Sequence, residues 1–105
     1  MIKNDHGIPF SATATGSTSA AASKTGVAST TIYITDISGS SDKSGALILV
    51  KDGSTVIWQD IVGAGNYKMN FITPIKITTG ATASVNVDGT SLSNANLSGF
   101  VLNNS

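Results

Sequence analysis

The chain has 105 residues and no formal net charge, a length that holds one domain. It has no cysteine, which excludes disulfide scaffolds, thiolate metal sites and cysteine nucleophiles. Its six acidic residues are all Asp and its six basic residues all Lys; with no Arg and balanced charge, it lacks the basic patch a nucleic-acid backbone calls for. The absence of Glu weighs against helices. Only 11% of residues are charged, so solubility rests on hydroxyl and amide groups. A surface of that kind packs against protein with little charge to desolvate.

Residues 1–25 read as an extended N-terminal arm and first edge segment, and 26–105 as a β-sandwich. The arm carries scattered apolar anchors: Ile2, Ile8, Pro9 and Phe10. Alternation at Thr13, Thr15 and Ser17 favours a loose strand or arm, and a first strand is expected over about 18–24. Thr31 to Ile37 is rich in β-branched residues. Ile32 and Ile34 share a face and Ile37 breaks that parity, which predicts a bulge near Thr35-Asp36. Gly39 to Gly45 reads as a loop. The strongest local signal is a hairpin: Gly45 to Val50 and Thr55 to Ile61 flank Lys51-Asp52-Gly53-Ser54. Both faces of its first strand are apolar, so that strand is expected to be central and covered on both sides. Tyr67, Met69 and Phe71 share one face before Pro74 interrupts. Ile75 to Thr78, Ala81 to Asp88 and Leu97 to Leu102 complete the series. The fold class is therefore all-β: a single sandwich or jelly roll of about eight short antiparallel strands.

The chemistry-bearing residues are sparse. The lone histidine, His6, neighbours Asp5 without an identifiable third group, and no nucleophile elbow appears, so the chain does not read as an enzyme. Asp36, Asp42, Asp52, Asp60 and Asp88 show no dense Asp-x-Asp spacing, and turn chemistry accounts for Asp52 and Asp88 before Gly. Neither metal nor cofactor nor small-molecule ligand is implied. Gly63-Ala64-Gly65 lacks the third spaced glycine of a phosphate loop. The longest apolar run, Ala46 to Val50, is too short to span a membrane. Met1 to Gly16 contains no apolar core of a secretory leader, so cytoplasmic synthesis is expected. Trp58, Tyr33 and Tyr67 are the candidates for sugar stacking, but each lies in an apolar strand pattern that favours packing in a core or subunit interface.

Several motifs fall in one order: Tyr33-x-Thr35-Asp36, the Lys51-Asp52-Gly53 hairpin with Ile57-Trp58, Phe71-x-x-Pro74-Ile75, Gly80 before alternating Ala and Val, and Ser98-Gly99-Phe100. From Ile32 to Phe100 the chain thereby resembles small β-sandwich proteins encoded among the structural genes of tailed bacteriophages. The resemblance implies a capsid decoration, or cement, protein that bridges capsid subunits on the virion surface. It implies the major capsid protein as partner and a homotrimer as the assembled state. Ile2, Ile8, Pro9, Phe10, Tyr33, Ile48, Trp58 and Tyr67 are the expected capsid or subunit contacts. The alternative is a glycan- or receptor-binding module of a phage head fibre or tail.

Overall fold

The computed structural model describes residues 7–43, 45–62, 65–89 and 91–103. The strands are β1 (Ile8–Gly16), β2 (Ser19–Lys24), β3 (Thr30–Ser41), β4 (Leu47–Asp52), β5 (Thr55–Ile61), β6 (Gly65–Lys76), β7 (Ala83–Asp88) and β8 (Ser93–Asn103). They form two four-stranded sheets, ordered β1-β8-β3-β6 and β2-β7-β4-β5, here called sheet A and sheet B. Every pairing among them is antiparallel. The protein is an all-β sandwich.

The strand expected over about 18–24 is present as β2, whereas residues 8–16 form a further strand and not a free arm. Residues 8–16 pair along their whole length with β8, and 19–24 with β7, so each forms an edge strand of its sheet. Small side chains permit this: Ala12, Ala14, Ala20 and Ala22 turn toward the core. Ile2 and His6 lie outside the described residues, as does the Gly63-Ala64 turn.

The expected bulge falls between Ile34 and Asp36, where β3 shifts register against both β6 and β8. The hairpin turn is also as expected, with Gly53 at φ 62° in the left-handed region that glycine adopts at no steric cost. Two strands run further than the sequence suggests. β3 continues through Gly39 to Ser41, and β6 continues through Pro74. Pro74 is tolerated because β6 is an edge strand with no ladder partner on its outer side.

The core tapers. Across sheet A an inward row reads Ala14, Ala95, Gly39 and Tyr67; across sheet B one reads Ala22, Val85, Val50 and Trp58. Small residues thus fill the β1/β2 side and aromatic residues the β5/β6 side. There Trp58 meets Phe71 edge-on with centroids 5.5 Å apart, and lies 6.2 Å from Tyr67. Strict alternation would set Trp58 and Val56 on one face, and a second bulge separates them. Val50 pairs with Trp58 but Lys51 pairs with Val56, so Ile57 is the extra residue and Val56 turns outward, 45% exposed.

β4 is central in its sheet, as expected; sheet A covers one of its faces, and the other is open within the single chain. Ile48 and Val50 are fully buried, whereas Leu47 on the opposite face is 40% exposed. Ile48 therefore cannot be a subunit contact and is corrected to a core residue. Ile48→Ala is expected to cost about 2–5 kcal/mol in urea unfolding through the cavity it opens. Ile61→Ala, on the open face, is expected to stay within about 0.5 kcal/mol of the parent.

Candidate functional site

Alternation decides what each sheet shows to solvent. Each buried row of sheet A forces the flanking residues outward. The outermost row, from β1 to β6, is Pro9, Phe100, Tyr33 and Lys76. Next come Ser11, Ser98, Asp36 and Asn70, then Thr13, Asn96, Ser38 and Lys68, then Thr15, Asn94, Ser40 and Asn66. The face therefore joins one aromatic row to three rows built mainly of hydroxyl and amide groups.

The aromatic row has defined geometry. Tyr33 and Phe100 stack with ring centroids 5.0 Å apart and planes 12° from parallel. Both rings are half-buried. Gly99, beside Phe100, permits the strands to close here, because a Cβ at that position would strike the Tyr33 carbonyl oxygen. In the polar rows the Thr13 hydroxyl donates to Asn96 Oδ1. Asp36, Ser38, Lys68, Asn96 and Ser98 line one shallow depression, and Ser11, Thr13, Asn96 and Ser98 line its neighbour.

The other sequence candidates are dispersed. Trp58 and Tyr67 belong to the seam that closes the sandwich between β5 and β6, where both pack against the core. The Tyr67 hydroxyl donates to Asp60 Oδ2 at 2.6 Å, and the Ile61 N–H donates to Asp60 Oδ1 at 2.8 Å. Ile8 and Pro9 are exposed at one end of the sandwich, and Phe10 is half-buried there with the Lys24 ammonium 5.8 Å from its ring centroid. These residues, with Val27, Ile32 and Val101, border an apolar pocket of about 190 Å³. Of the aromatic candidates only Tyr33 reaches the sheet A face. Sequence reasoning missed its partner Phe100 and the amides Asn94 and Asn96, because Ser93 to Asn96 has turn-like composition. The signal was present: Asn94, Asn96, Ser98 and Phe100 alternate with buried Ser93, Ala95, Leu97 and Gly99.

Among the described residues no three His, Cys, Asp or Glu side chains gather as a ligand set. Asp52 pins the hairpin to the chain after β6, since its Oδ2 accepts from the Thr78 N–H at 3.1 Å and the Thr78 hydroxyl at 2.7 Å.

No protein-family model matches the chain, and no curated protein matches it. It is similar to the C-terminal CBM6 of LamC, a laminarinase from Zobellia galactanivorans, at 12% identity over 96% of each chain with a TM-score of 0.48. It is similar to a CBM36 carbohydrate-binding module in complex with calcium and xylotriose at 11% identity over 95% of each chain, TM-score 0.42. It is also similar to the coat protein of Tobacco streak virus at 10% identity, over 95% of this chain and 90% of that one, TM-score 0.41. At such identities the likeness concerns the sandwich fold alone.

The seam gives the protein a pH signature. The Tyr67 hydroxyl, and after it the Ile61 N–H, hold the Asp60 carboxyl below its ordinary value. Loss of solvent, followed by the hydrogen bond to Asp60 and its charge, pushes the Tyr67 phenol up to about 12. A lowered carboxyl stabilises the fold above its unfolded value, 3.8, and that contribution is lost as pH falls through the folded value. A raised phenol stabilises the fold below its unfolded value, 10.0, and that contribution is lost as pH rises toward about 12. Urea midpoints of the parent and Tyr67→Phe should therefore differ most at neutral pH. The two curves should converge in acid and in alkali, and the tyrosinate absorbance step at about 12 should vanish in the variant.

Proposed function

We propose that the chain is a non-catalytic binding module that lays a glycan strand along the outer face of sheet A. The Tyr33–Phe100 stack carries this reading. The pair turns one face of each ring toward the other and leaves the outer faces and ring edges as apolar area for the C–H groups of a sugar, at little cost in side-chain entropy. The rows beyond them supply what a hydroxyl-rich ligand needs. Ser, Thr and Asn groups both donate and accept, and they stand at the regular spacing of neighbouring strands. The charges on these rows are Asp36, Lys68 and Lys76, and the remaining positions can be desolvated without stripping a charge.

The test is affinity electrophoresis through gels of soluble β-glucans, xylans and host-surface polysaccharides. Tyr33→Ala and Phe100→Ala should each weaken retention by at least about tenfold, equivalent to about 1.4 kcal/mol. Trp58 fluorescence should stay constant through the titration, because the indole lies in the seam between the sheets. Retention unchanged by both ring truncations, or a strong Trp58 response, would put the site elsewhere.

A second reading, decoration of a bacteriophage capsid, has its own support at the end of the sandwich. Ile8 is 60% and Val27 59% exposed, beside the apolar pocket bordered by Phe10, Ile32 and Val101. A cavity of that size accepts about one apolar side chain of a partner. Ile8→Asp should abolish cosedimentation with capsids and leave glycan retention intact. An unchanged pellet fraction would remove this reading.

A further inference from the structure

The outer face of sheet B has a different chemistry. Its rows, from β2 to β5, are Ser19, Asp88, Leu47 and Ile61; then Ala21, Asn86, Leu49 and Gln59; then Ser23, Ser84, Lys51 and Val56. Leu47, Val56 and Ile61 are 40%, 45% and 62% exposed, and Leu49 lies between them. Contiguous apolar exposure on a sheet face marks an interaction surface. These three rows carry two charges, Lys51 in one outer row and Asp88 in the other, with Asn86 and Leu49 between.

We infer that this face binds a second copy of the chain, across a two-fold axis running along the Ala21-Asn86-Leu49-Gln59 row. A two-fold interface requires that whatever one end offers, the other end accepts. The rows meet that requirement position by position. Reversing one sheet over the other lays Ile61 on Val56 of the second copy and Ser19 on its Ser23. Leu47 falls on the aliphatic stem of the opposing Lys51, whose ammonium reaches toward the neighbouring Asp88. The reverse contact repeats the pair on the other side of the axis. On the axis Leu49 meets Leu49 and Gln59 meets Gln59. Asn86 also lies on this row, and its Oδ1 is buried without a hydrogen-bond partner. Face-to-face stacking of two such sheets is an ordinary sandwich geometry, with strands about 30° from aligned and about 10 Å between layers. The two charges argue for a copy of this chain rather than a foreign apolar partner, because each supplies the complement that the other needs.

The experiment is light scattering on a sizing column over a dilution series, run on the full chain. The parent should show a mass of two subunits that falls to one on dilution. Ile61→Lys, at an exposed position, should be monomeric, with the urea midpoint that the parent shows at a dilution where it too is a monomer. Lys51→Asp and Asp88→Lys should each weaken the dimer by about tenfold, and the double exchange should restore it, since like charges repel in each single variant and opposite charges return in the double. A monomer at every concentration overturns the inference. So does a mass of three subunits, or a dimer insensitive to Ile61→Lys, or single exchanges that the double does not rescue.

Discussion

The gap between the two sheets is set by side-chain size, and that size changes steadily from one side of the sandwich to the other. On the β1/β2 side the filling is mainly Ala12, Ala14, Ala20 and Ala22, with Phe10 at one end; on the β5/β6 side it is Trp58, Tyr67, Met69 and Phe71. Sheets must meet at packing density, because voids forfeit contact energy in proportion to their volume. Alanines let the sheets approach where the chain crosses from β1 to β2 in a short turn. The aromatic side chains hold them apart where β5 and β6 face each other as edges. The Tyr67–Asp60 hydrogen bond ties the two sheets across that wide side. The seam thus absorbs the only Trp and one of the two Tyr.

Because the inner rows are settled this way, the outer rows follow by alternation, and they differ. Behind Ile32, Ile34, Ala95 and Leu97 stand Tyr33, Asn94, Asn96 and Ser98. Behind Ile48 and Val50 stand Leu47, Leu49 and Lys51. An antiparallel sheet is stable with one solvated face, and the hydroxyl and amide rows of sheet A meet that condition without charge repulsion. Sheet B does not present the same chemistry. The edges differ as well. β6 carries Lys68, Pro74 and Lys76, residues that blunt an edge against chance pairing. β5 carries Asp60, whose carboxylate is engaged by Tyr67 and by its own neighbour Ile61.

Local chemistry is the part most legible in the sequence. Asp52-Gly53 announces its turn because only certain residues tolerate positive φ there. Ile37, one place out of step with Ile34, announces the first bulge. The second bulge leaves no such mark. Ile57 is one apolar residue among several, so its insertion reverses the parity of Val56 without any compositional trace. β4 poses a related problem. With Leu47, Ile48, Leu49 and Val50 all apolar, alternation does not say which pair faces inward, and the contact expected at Ile48 proves to be core. Phe100 is hidden differently. It lies outside any run that pattern alone marks as a platform, and only pairing with Tyr33 across β3 and β8 brings the two rings together. Long-range register, which a linear pattern does not encode, makes that site.

The two faces lie on opposite sides of the sandwich, and this bears on what the proposed pairing would do for the proposed ligand. Copies joined through sheet B turn their sheet A faces away from each other. One glycan strand could not lie on both faces without bending around the dimer, so the pair gains little avidity for a single chain. It can instead hold two separate strands, one on each outer side. The same geometry leaves the apolar pocket near Ile8 and Val27 outside the pairing surface, since that pocket opens at an end of the sandwich. Dimerisation therefore competes with neither of the other two for a residue, and glycan contact and docking at the sandwich end share only Pro9. A substitution on one surface should leave the other two functional, which is the physical reason each can be tested alone.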